Sequence, residues 1–141
     1  ESEMVYSPRV VMSASGHAMM TWHLGYDPVT CGHRFELRAR ESNAGTLGTI
    51  TALGYTDSQD SFLAGNEEGD AVFSWTATAS GCATYQIKAS IYNFATGTWT
   101  EKTIIDGMTD SPRDQAIAMN SAGEAVIVVF PSGSTQLVAK R

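Results

Sequence analysis

Asn66-Glu-Glu-Gly-Asp-Ala-Val-Phe-Ser-Trp75 is the stretch on which the fold of this 141-residue chain turns. It places a turn signal directly before an apolar run. An Asn side chain can bond nearby backbone, and a Gly can take positive φ. From Ala71 to Trp75 every residue but Ser74 is apolar, which suits a strand covered on both faces rather than one. The same arrangement occurs upstream as Ser13-Ala-Ser-Gly-His-Ala-Met-Met-Thr-Trp22 and downstream as Asn120-Ser-Ala-Gly-Glu-Ala-Val-Ile-Val-Val129. Gly16, Gly69 and Gly123 stand 53 and then 54 residues apart. A period of that length points to a repeat architecture.

Other landmarks keep step with these glycines. Phe35-Glu-Leu-Arg-Ala-Arg40 aligns with Gln86-Ile-Lys-Ala-Ser90 and with Gln136-Leu-Val-Ala-Lys140. Gly45-Thr-Leu-Gly48 aligns with Gly97-Thr-Trp-Thr100, and Tyr55-Thr-Asp-Ser58 with Met108-Thr-Asp-Ser111. The chain therefore reads as a single β-repeat domain over 1–141, with units at approximately 6–59, 60–113 and 114–141, the last lacking its fourth strand. First strands are expected at 9–12, 61–64 and 115–119, and second strands at 18–23, 71–76 and 125–130. Third strands are expected at 35–40, 86–92 and 136–140, and fourth strands at 47–53 and 98–105. Glu1 to Ser7 reads as the tail of a fourth strand that leads into the first one. No window shows a convincing helical period. The expected class is all-β, with about three four-stranded antiparallel propeller-like blades, since short strands in units of roughly 40–50 residues mark a propeller blade.

The pattern Asn-x-x-Gly-x-Ala-x-x-x-Trp, followed by an x-x-Ala-Arg/Ser strand and Gly-Thr-Trp-Thr, resembles the degenerate repeats of secreted bacterial β-propeller proteins. It also resembles, loosely, the Asp-box hairpins of sialidase-type propellers, with Ser15, Glu68 or Ala122 where the box carries its Asp. The resemblance spans almost the whole chain and implies a fold rather than an activity. It implies a non-enzymatic extracellular binding or structural module, lectin-like in its most concrete form. Self-assembly as an oligomer or filament subunit, and a fragment of a propeller hydrolase, are the alternatives. Propellers usually need at least four blades to close. About three would be completed by another chain or a longer parent, for example a dimer closing a six-bladed ring or a head-to-tail assembly.

Composition narrows the function classes. Nine Lys plus Arg stand against fifteen Asp plus Glu, and no basic cluster is present that would neutralise several phosphates, so nucleic acid is not an expected partner. The longest apolar run, Ala125 to Phe130, is far shorter than the roughly 20 residues of a membrane-spanning helix. Two cysteines, abundant Thr, Ser and Gly, and scarce Lys suit a secreted, extracellular or periplasmic protein. The first residue is Glu rather than Met, as in a mature secreted form or an excised piece.

Candidate sites are sparse. Cys31 and Cys82 are 51 residues apart, near the repeat period, in the loop after each second strand. Neighbouring repeats would bring those loops together, and a bridge there would add about 3–4 kcal/mol; free thiols or interchain bridges remain the alternatives. Trp22 and Trp75 sit where packing between repeats needs bulk. Tyr26, Tyr85, Tyr92 and Trp99 are the candidate ligand-binding aromatics, because propeller lectins stack sugars on aromatic faces. His17, His23 and His33 fall within one unit with no carboxylate partner by pattern, and read as surface or satisfied histidines. Asp57, Asp60, Asp106, Asp110 and Asp114 read as turn caps, since no calcium-loop pattern is present. No catalytic motif, metal site or cofactor is expected.

Overall fold

The computed structural model describes residues 4–25, 35–56, 58–79, 83–112 and 114–130, and the backbone of 138–140. The described residues form strands and turns and no helix. Strands β1 (Val5–Met12), β2 (Ala18–Gly25), β3 (Phe35–Asn43) and β4 (Thr46–Thr56) make a first antiparallel sheet in sequential order. Strands β5 (Ser61–Gly65), β6 (Ala71–Thr78), β7 (Tyr85–Asn93) and β8 (Thr98–Met108) make a second of the same order. Strands β9 (Asp114–Met119), β10 (Ala125–Phe130) and β11 (Val138–Lys140) make a third, with β10 central. Among the described residues no sheet closes on itself.

The first hairpin of each sheet is made by the turn the sequence singles out. Asn66 Oδ1 accepts hydrogen bonds from the amides of Glu68 and Asp70, and Asn120 Oδ1 from those of Ala122 and Glu124. Ser13 Oγ accepts from His17 N. Gly16, Gly69 and Gly123 all have positive φ (83°, 102° and 77°), a conformation that strains any residue with a Cβ. All three turns carry the same pair of backbone bonds, such as Asn66 N to Asp70 O and Gly69 N to Asn66 O.

Four strands differ from the sequence expectation by three residues or more: β1, and β3, β4 and β8, with β3 reaching Asn43 rather than ending at 40. β1 begins at Val5, not near Arg9: Val5 and Tyr6 pair with Leu24 and His23 of β2. Residues 5 and 6 thus extend the first strand rather than ending a fourth strand. The ladder is interrupted between Tyr6 and Arg9, where Pro8 has no N–H to give and Ser7 has φ 47°. β4 and β8 each run three residues past their expected ends. Both carry register shifts and a positive-φ glycine, Gly54 or Gly107, so a local bulge lets pairing continue past a residue that reads as a breaker.

The sheets stack face on face. Side chains alternate across a strand, so each sheet has two faces. Met19, Leu37, Ala39 and Leu53 of the first sheet pack with Ala71, Phe73, Trp75, Ala77 and Tyr92 of the second, and this is seam I. The other face of the second sheet supplies Val72, Ile87 and Ala89, which pack with Ile127 and Val129 of the third, forming seam II. β6 lies between both seams and is buried over seven consecutive residues, which accounts for a run that is apolar but for Ser74 and Thr76. β1 and β5 approach so closely that a Cβ on Gly65 would fall 2.8 Å from Val11 Cγ2.

Candidate functional site

Two kinds of surface stand out: a polar cleft at seam I, and the outer faces of the stack. The cleft, about 100 Å³, is lined by Arg40 and Glu41 of β3, Thr49 and Thr51 of β4, and Tyr92, Gly97 and Trp99 from the β7–β8 hairpin. Tyr92 and Trp99 are paired across β7 and β8, with ring centroids 5.2 Å apart at 49°. Of the four candidate aromatics, these two are brought together. Tyr85 lies at the opposite end of β7, paired with Thr78 and Met108. Tyr26 lies outside the described residues, as do Cys31 and Cys82.

Tyr92 is 4% exposed, so it offers the cleft its hydroxyl rather than a ring face. That hydroxyl donates to Glu41 Oε2. Burial, then the bond to Glu41 and the carboxylate charge, push the phenol well above its ordinary pKa, which keeps it a donor and not a base. His17 Nε2 stands 3.4 Å from the same Glu41 oxygen, with its ring stacked on Tyr92 (9° between planes) and against Phe94. Of the two expected cases, surface or satisfied, His17 is the satisfied one: it is buried, and its carboxylate partner comes from another strand. Glu41 was missed because its partner lies on another strand. The signal for it was the alternation Leu37, Ala39, Glu41, which puts all three on the seam face. Trp99 is only partly buried and packs against seam I, so it is the ring that borders the cleft.

At the far end of seam I, His23 Nε2 meets Ser61 Oγ at 2.8 Å. Burial, followed by the charge of Arg9, lowers the His23 pKa from 6.5 to about 4 against an opposing pull from Asp60. A Ser–His pair invites a nucleophile reading, yet both residues are 0% exposed. His23 Nδ1 has no hydrogen-bond partner among the described residues, so no third group among them orients the ring. The pair is a polar tie between sheets. Gln115 makes the corresponding tie in seam II, with Nε2 donating to Thr76 Oγ1 at 2.9 Å and Oε1 accepting from Ser74 Oγ at 3.3 Å.

Among the described residues no cluster of three or more His, Cys, Asp or Glu could hold a metal ion, and no helix is long and apolar enough to cross a membrane. Asp60 and Asp106 cap turns, accepting from Ser58 and from Gln86 and Gly107. No family model matches the chain, and no curated protein matches it.

The outer faces are unlike the seams. On the first sheet, Val10, Met12, Leu47 and Ile50 are exposed by 65, 72, 51 and 47%. Val10 and Met12 pair across the ladder with Met20 and Ala18, so they share the face of Trp22, which is only partly buried. The third sheet's outer face carries Val126, 41% exposed, with Val128 and Phe130 beside it on β10.

Proposed function

We propose that the chain is a non-enzymatic binding and structural module of the secreted, extracellular or periplasmic kind. In this reading it is a stack of β-propeller-type blades, its three sequence units each a blade, whose outer faces dock further sheets, as a homo-oligomer would. One observation carries the reading. Met19 and Val72, each the second residue of its sheet's second strand, are 2% and 1% exposed, whereas Val126 at the matched position is 41% exposed. Similarly, Val10 is 65% exposed where Leu63 and Ile117, matched to it in β5 and β9, pack against the seams. Apolar surface of the kind buried inside the stack thus continues at both ends, and contiguous exposed apolar patches mark interaction sites. Dilute protein should bind an environment-sensitive apolar dye, and Val10→Glu and Val126→Glu should each remove roughly half of that signal with the strand circular dichroism unchanged. Dye binding that neither change affects contradicts the reading.

A second reading is favoured by the seam I cleft. Trp99 bordering a polar pocket with Glu41 and two threonine hydroxyls suits a small polyol such as a sugar ring, with stacking on the indole and hydrogen bonds to the rest. A glycan array should show binding that is lost in Trp99→Ala and retained in Tyr85→Ala. Binding that both variants retain places the ligand elsewhere.

A further inference from the structure

We infer that the outer face of the third sheet docks, head to tail, onto the outer face of the first sheet of a second copy of this chain, in the register of the two internal seams. This rests on the docking reading of the outer faces and adds the identity of the occupant.

Stacking polarity comes first. In seam I the face carrying Met19 is covered by the face carrying Phe73 and Trp75, and in seam II the face carrying Val72 is covered by the one carrying Ile127 and Val129. Both seams join the same two kinds of face in the same direction. The ends therefore expose one of each kind: Val126, Val128 and Phe130 on the third sheet, and Val10, Met20 and Trp22 on the first. Such a surface is complementary to a second copy related by rotation, the heterologous contact that closes as a ring or continues as a fibre.

The ends also differ from the interior in a correlated way. Each internal seam is tied by a polar pair, His23 with Ser61 and Thr76 with Gln115. At the open ends the matched residues are Phe130, 54 positions after Thr76, and Pro8, 53 positions before Ser61. Both are apolar, so neither strands a buried polar group when the faces meet. The change at one end of the chain suits the change at the other when those ends meet, which favours a second copy over an unrelated sheet.

The turns agree. A Cβ on Gly69 would lie 3.0 Å from Phe94 Cγ of its own sheet and 3.2 Å from His17 Nδ1, and one on Gly123 would lie 3.2 Å from Asp70 Oδ2, so both glycine turns abut the preceding sheet. Gly16 would meet nothing within 4 Å. The residue matched to His17 and Asp70 on the third sheet is Glu124. Charge is also complementary. Arg38 and Arg40 of β3 share the first sheet's outer face with Trp22 and Met20, while Asp114 pairs with Phe130 on the third sheet's outer face. Arg38 is already bonded to Glu36, which leaves Arg40 as the main contributor.

Light scattering on the unmodified chain and two variants tests the inference. Val10 and Val126 are exposed, so Val10→Glu and Val126→Glu should both fold. The wild type should gain mass with concentration, and each variant should stay near 15.1 kDa. An equimolar mixture of the two variants should form a dimer and nothing larger, because one intact face of each kind remains. Loss of association in Val126→Glu but not Val10→Glu indicates a face meeting its own kind and overturns the head-to-tail arrangement, as does a mixture that stays monomeric. A wild type that remains monomeric overturns the second copy. If its apolar-dye signal still falls in both variants, the docking reading survives with another occupant; if it does not, both fail together.

Discussion

Seams I and II are built from matched positions but closed by different means. Seam I has aromatic bulk, with Phe73 and Trp75 5.7 Å apart at 30° and Tyr92 beside them. It leaves three buried polar atoms without a hydrogen-bond partner among the described residues: Thr21 Oγ1, His23 Nδ1 and Trp75 Nε1. Seam II is aliphatic, through Val72, Ile127 and Val129, and Gln115 satisfies Ser74 and Thr76 at once. Large apolar area can tolerate unsatisfied polar atoms, each costing about 1–3 kcal/mol. A smaller contact relies on having its polar groups paired. The two seams show one docking geometry accepting both solutions.

The largest expected effect lies in seam I. Trp75→Ala should destabilise the fold by about 3–5 kcal/mol, and Ile127→Ala in seam II by about 2–3 kcal/mol, near the low end for buried aliphatics. Urea denaturation compares them, and equal costs would erase the distinction between the seams. The next effect is pH-dependent and belongs to seam I alone. His23 is kept neutral in the fold, its pKa lowered from 6.5 to about 4. The unfolded chain takes up a proton that the folded chain refuses across that window, so stability should fall as pH drops from 6.5 to about 4 and this group should add no further loss below it. His23→Gln should flatten that part of the melting-temperature profile; an unchanged slope would exclude His23 as its source.

Smaller effects have opposite signs in the two seams. Gln115→Ala should cost about 1–2 kcal/mol by stranding the Thr76 and Ser74 hydroxyls. Thr21→Val should stabilise by about 1 kcal/mol, because it removes a buried hydroxyl that lacks a partner and installs the residue that the third sheet already has at Val128. A destabilised Thr21→Val would mean that the hydroxyl is satisfied in solution and that seam I carries no polar cost at that position.

The turns and strands were legible because short-range chemistry decides them. Asn66 and Asn120 cap their own turns, and the largely apolar run of β6 reports cover on two faces. Strand ends were less legible. Gly54 and Gly107 read as breakers but serve as bulges within β4 and β8, and the pairing of Val5 and Tyr6 with β2 depends on a partner strand, not on local preference. The cleft was half legible. Tyr92 and Trp99 stand out as aromatics in a hairpin, while Glu41 and His17 meet only through sheet pairing and stacking 24 residues apart. Nor does composition show that Tyr92 is buried and Trp99 borders the cleft, since that depends on which face each presents.

The decisive question is whether the exposed faces of β1 and β10 behave in solution as the seam surfaces they match. Sedimentation equilibrium on the unmodified chain, from low to high micromolar, asks this directly. Average mass should climb from 15.1 kDa toward whole multiples of it, and a flat 15.1 kDa at every concentration would contradict the account.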